Sequence, residues 1–146
     1  MKLGSMPIAV LMQRRTPRHR WADEAWAAVG VVRDGGDLPP VQVLAESAER
    51  DEYLVSGLEL ELYPDENDGY YENFMAPEAK VFVLWRMQDG RAMPVRASVS
   101  YVEGTRMFDS GEQADGVPMP AEVQAWLRAY LHAHYQPKPR RGRQHG

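Results

Sequence analysis

Along most of this chain apolar and polar positions alternate in short runs, and only the last stretch shifts to a helical period. Residues 7–13 (PIAVLMQ) form an apolar run of strand length. In WADEAWAAVGVV, residues 21–32, the alanines favour helix and the closing Val-Gly-Val-Val favours strand. A strand over 25–32, paired with the first, is the expectation. Asp34-Gly35-Gly36-Asp37 and Pro39-Pro40 make a turn, 41–45 a strand and 46–51 a charged turn. The clearest strand is 53–63, where Leu58, Leu60 and Leu62 alternate with Glu59 and Glu61, one face buried and one in water. Gly57 inside it marks a bulge. Residues 64–69 read as an acidic turn and 70–75 as a further strand. VFVLWRM, residues 81–87, is apolar on both faces and belongs at the centre of a sheet. Asp89-Gly90 turns the chain into a strand over 94–101, with Val95, Ala97, Val99 and Tyr101 alternating with Arg96, Ser98 and Ser100. Residues 102–116, with Gly104, Gly111 and Gly116, read as a connection.

The helical stretch follows. Val123, Trp126, Leu127, Tyr130, Leu131 and His134 recur at i, i+3, i+4, i+7, i+8 and i+11. Pro120 suits the first helical position, Glu122 suits the dipole of the first turn, and Pro137 and Pro139 end the helix. Such a helix needs a surface to lie on, which the strands must supply. The fold class expected is α+β, mainly antiparallel β. It has about seven short strands in a curled sheet, barrel or sandwich, with one C-terminal amphipathic helix. This order resembles that of pleckstrin-homology-like domains, an analogy that carries no function. Trp26, Trp85 and Trp126 read as core, with Trp126 the anchor of the helix.

At 146 residues the chain suits one globular domain, expected over 6–135. Residues 1–5 (MKLGS) read as a leader ahead of a start at Met6, and 136–146 as a basic disordered tail. No cysteine is present, which excludes disulfides and thiolate metal sites within the chain. No apolar run approaches the roughly 18 residues a membrane helix needs. Arg14-Arg15 precedes polar residues, where an export signal requires an apolar core, so the expected location is the cytoplasm.

The net charge of −4 hides an asymmetry. Lys2, Arg14, Arg15, Arg18 and Arg20 fall in the first twenty residues with no acid, whereas residues 46–72 carry ten acids against Arg50 alone. Segregation of this kind bears on partners rather than on fold.

Chemistry is sparse. Glu59 and Glu61 lie about 7 Å apart on one strand face, a spacing open to acid–base work, but the intervening leucines favour a solvated face. His132 and His134 are two helical positions apart and so point about 200° from one another, which disfavours a shared metal. Phosphate-loop, dinucleotide and nucleophile-elbow motifs are absent from the sequence. Asp109-Ser110-Gly111-Glu112 reads as a turn. The candidate contact site for a partner or anion is Arg14, Arg15, Arg18, Arg20 and Trp21. Guanidiniums bind phosphate or carboxylate bidentately, and the indole can stack on a cation or ligand. The plainer alternative pairs these arginines with the acidic strand face. Net negative charge and the lack of an aromatic stripe argue against nucleic acid. No cofactor or metal is expected.

Two stretches resemble a bacterial family catalogued as domain of unknown function 3305. One is RRTPRHRWADEAWAAVGVV, through Arg14, Arg15, Arg20, Trp21, Glu24 and Trp26. The other is DSGEQADGVPMPAEVQAWLRAYLHAH, through Asp109 to Glu112, Val117 to Pro120 and Trp126. The central SGLELELYPDENDGYYEN is similar as well. The resemblance implies no catalytic residues. Members are often encoded beside formate dehydrogenase and related molybdenum-enzyme genes, which implies an accessory role in assembling or regulating such an enzyme. The function expected is therefore a non-catalytic accessory or binding protein whose partner is a dehydrogenase subunit or maturation factor. The alternatives are an anion- or lipid-binding module, or an enzyme with an unrecognised acid–base pair.

Overall fold

The computed structural model describes residues 1–16 and 24–136. Its elements are β1 (Gly4–Arg15), β2 (Ala25–Arg33), β3 (Val41–Glu46), β4 (Arg50–Leu62), a 3-10 turn (Pro64–Glu66), α1 (Asn67–Phe74), β5 (Lys80–Gln88), β6 (Arg91–Ser98), α2 (Tyr101–Asp109), β7 (Gln113–Pro118) and α3 (Ala121–His134). Every strand pair is antiparallel. The strands form two sheets, ordered β2-β1-β4-β3 and β6-β5-β7, and no barrel closes. Side chains from both sheets share one apolar core, so the architecture is a sandwich. No helix among the described residues is long and apolar enough to cross a membrane.

Period-two alternation builds the core. On β1, Met6, Ile8, Val10 and Met12 point inward. On β4 the inward set changes phase, from Tyr53 and Val55 to Leu60 and Leu62. The change falls at Ser56-Gly57, where the register with β1 shifts and Gly57 takes φ 100°, the bulge expected there. β2 pairs with β1, and β5 lies centrally with both faces buried, as the patterns require. Val81, Val83 and Trp85 enter the shared core, while Phe82 and Leu84 point to the other side and pack with Met107 of α2. Asp89 and Gly90 both take positive φ in the hairpin turn.

Three expectations are corrected. Residues 70–75 belong to α1 rather than to a strand; its i, i+3 pair, Tyr70 and Asn73, is buried. The Asn73 amide donates to the Lys80 and Val99 carbonyls and accepts the Lys80 N–H, which fixes α1 to the second sheet. Residues 102–116 hold α2 and β7, not a connection. Ser100 caps α2 by accepting the Glu103 N–H at 3.3 Å. On β6 a bulge between Pro94 and Arg96 leaves Val95 unopposed; Ala92 and Pro94 are buried before it, all of Ala97, Ser98, Val99 and Ser100 after it, and Tyr101 starts α2.

The closing helix is present, and Val123, Leu127, Tyr130 and Leu131 are its buried face. Trp126 is half-buried and His134 exposed, so Leu127 rather than Trp126 anchors it. The Tyr130 hydroxyl donates to Asn67 at 2.7 Å, and its ring meets Tyr70 edge-on at 5.9 Å, joining α3 to α1.

Candidate functional site

The basic stretch divides at its first two residues. Arg14 continues the inward column of β1 and is 8% exposed. Its Nε donates to Asp51 at 2.8 Å, Nη2 to the Ser47 carbonyl at 2.8 Å and Nη1 to the Thr16 hydroxyl, with Glu24 at 3.6 Å. That bond holds the Asp51 carboxyl below the usual carboxylate range. The guanidinium is thus committed within the protein, clasping the β3–β4 turn to the end of β1. Arg15 faces the opposite way, exposed, with Arg50 across the ladder. Arg18, Arg20 and Trp21 lie outside the described residues.

Glu59 and Glu61 are solvated on the outer face of β4, where Glu61 pairs with Lys2 at 3.1 Å. β3 covers only the first half of β4, leaving the second half beside β6. The cleft there, about 540 Å³, is open and also takes in Arg96, Ser98 and Glu103. Glu103 is held by Arg96 and by the Ser98 hydroxyl at 3.2 Å. Nearby, burial and the charge of Glu103 push the Glu66 carboxyl above its usual range. His132 and His134 are both exposed, and no group of three or more His, Asp or Glu among the described residues is arranged for a metal.

A third region was not anticipated. On the outer side of the second sheet, α2, Gly116 of β7 and the connection after α1 enclose a groove of about 670 Å³. Phe82 forms its floor. Tyr101 and Phe108 stand on either side, each ring 6.2 Å from Phe82 at 88°. Their i, i+7 spacing puts them on one face of α2, and Gly104 between them is a notch for the Phe82 ring. A Cβ at Gly104 would sit 2.5 Å from that ring. Phe82 is buried, yet Tyr101 is 44% and Phe108 51% exposed. Of the groove's polar groups, the Asn73 amide is bonded as above and the Thr105 hydroxyl donates to the Tyr101 carbonyl at 3.0 Å. Lys80 and Glu78 supply its charge, 3.9 Å apart.

The family described as Protein of unknown function (DUF3305) matches residues 7–144, nearly the whole chain. The chain belongs to this family. Comparison with curated proteins and with solved structures gave no match. In this DUF3305 member the matched span includes both stretches on which the resemblance rests, and the aromatic groove as well.

Proposed function

We propose that this DUF3305 protein is a non-catalytic accessory protein of the cytoplasm that binds a subunit or maturation factor of a molybdenum-dependent formate dehydrogenase. The observation that carries the binding role is the groove. Two large aromatic side chains stay about half exposed around an apolar floor, surface whose cover from water favours association. The choice of partner rests on the family resemblance, through the genes its members accompany. Affinity capture of the tagged protein from its native host, compared with a Phe108→Ser variant, tests both points. Recovery of a dehydrogenase subunit or maturation factor, lost in the variant with melting temperature kept, is the expected result. Recovery of neither, with normal formate oxidation in a deletion strain, would overturn the reading.

A second reading, an anion-binding module, draws on Arg15 and Arg50, two exposed cations facing each other across β1 and β4. Saturable phosphate binding abolished by Arg15→Gln would favour it. Arg14 has no part in either contact.

A further inference from the structure

The groove's lining also specifies what a partner must present. Resting on the reading of the groove as the contact surface, we propose that its occupant is a partner-protein segment carrying an aromatic anchor with a carboxylate close to it.

The aromatic half of this follows from the walls. Tyr101 and Phe108 stand perpendicular to Phe82, so a flat ring entering between them meets faces and edges in the geometry aromatic pairs favour. Gly116 makes room for the Lys80 stem beside the Phe82 floor. A Cβ there would lie 2.9 Å from Lys80 Cδ and 3.6 Å from the Phe82 ring, pushing the lysine stem off the floor. The volume, about 670 Å³, is within the range of sites that enclose a compact group.

The carboxylate half follows from charge. The Asn73 amide and the Thr105 O–H donate inside the protein. The Lys80 ammonium makes no hydrogen bond among the described residues, and its nearest acid, Glu78, lies 3.9 Å away on a side chain 84% exposed. Such a pair is worth little in water. A carboxylate arriving with an apolar anchor sheds water from that ammonium and outcompetes Glu78 at shorter range.

Nuclear magnetic resonance with two small probes tests this on the full chain: 4-phenylbutyrate and its uncharged counterpart 4-phenylbutyramide. Both should shift the ring signals of Phe82, Tyr101 and Phe108 saturably, with the acid binding about threefold more tightly, as one exposed ion pair allows. Lys80→Gln should erase that preference and leave the amide's affinity unchanged. Phe108→Ser should weaken both probes. Equal affinities for acid and amide in the native protein would overturn the carboxylate requirement. Shifts that fail to saturate, an adventitious additive only, would overturn the site. Should the probes behave as expected while Phe108→Ser still captures the dehydrogenase partner, the groove chemistry stands and the functional reading falls. Should capture need Phe108 while acid and amide bind alike, the reverse holds.

Discussion

Arg14 ends an inward column that begins Met6, Ile8, Val10, Met12. Run on by period two, that alternation reaches Arg14, so its direction was legible. Its acceptors were not, since Asp51 and the Ser47 carbonyl lie 37 and 33 residues away and meet it only through the pairing of β1 with β4. Arg14→Gln should lower melting temperature by several degrees and leave partner capture per folded molecule unchanged. Asp51 gives the pH signature. Its folded pKa is depressed, so its contribution is present above the unfolded carboxylate value of about 3.9 and is lost as pH falls through the depressed one. Urea unfolding should find Asp51→Asn less stable than the native protein at pH 7, with the gap narrowing below about pH 4. Glu66 has the opposite sign. Its folded pKa is raised, so the stability it favours is full below the unfolded value and is lost as pH rises through the folded one. Glu66→Gln should therefore stabilise at pH 7, and the gain should vanish below about pH 4.

α3 was readable from its sustained helical period, β4 from the alternation over Leu58–Leu62 and β5 from an apolar run suited to a strand buried on both faces. α2 and β7 were obscured because three glycines in fifteen residues look like a loop. Yet Ser100-Tyr101-Val102-Glu103 has the Ser-x-x-Glu form of a helix start, and Tyr101 and Phe108 share a helical face. Gly104 is a packing residue within α2. Gly104→Ala should cost about 1–3 kcal/mol by overpacking against Phe82, a figure thermal unfolding can check. Gly35→Ala, with nothing within 4 Å, is the near-neutral control. α1 was harder to read, because Tyr70, Tyr71 and Phe74 suit a strand or a helix about equally. What decides is Asn73, whose amide needs three backbone partners that only the folded sheet provides. In α3, Leu127→Ala should cost about 2–5 kcal/mol, and Trp126→Ala, at a half-buried position, less.

At the scale of the molecule, sheet order was the least legible property. Tight turns imply antiparallel neighbours, but β1 beside β4 joins segments far apart in sequence. Two polar clasps then fasten the sheets together. The Tyr53 hydroxyl of β4 donates to the Ala92 carbonyl of β6 at 2.5 Å. The Asp115 carboxylate of β7 accepts both the Ala28 N–H of β2 at 2.9 Å and the Trp85 indole N–H at 2.8 Å. Asp115→Ala leaves two donors without their acceptor, each worth about 1–3 kcal/mol if water cannot reach it. Trp85 fluorescence during unfolding would report the loss.

The two-sided burial of β5 bears on how the protein opens. Its residues face the main core on one side and the floor of the groove on the other, and both its edges are paired. Fluctuations that expose backbone amides to solvent should reach this strand last and β3, at a sheet edge with Val43 and Leu44 exposed, among the first. In heavy water the amides of β5 should therefore be the slowest to exchange. An occupant of the groove would slow α2 further while leaving β3 unchanged, so deuterium uptake can locate a bound partner without the partner being identified.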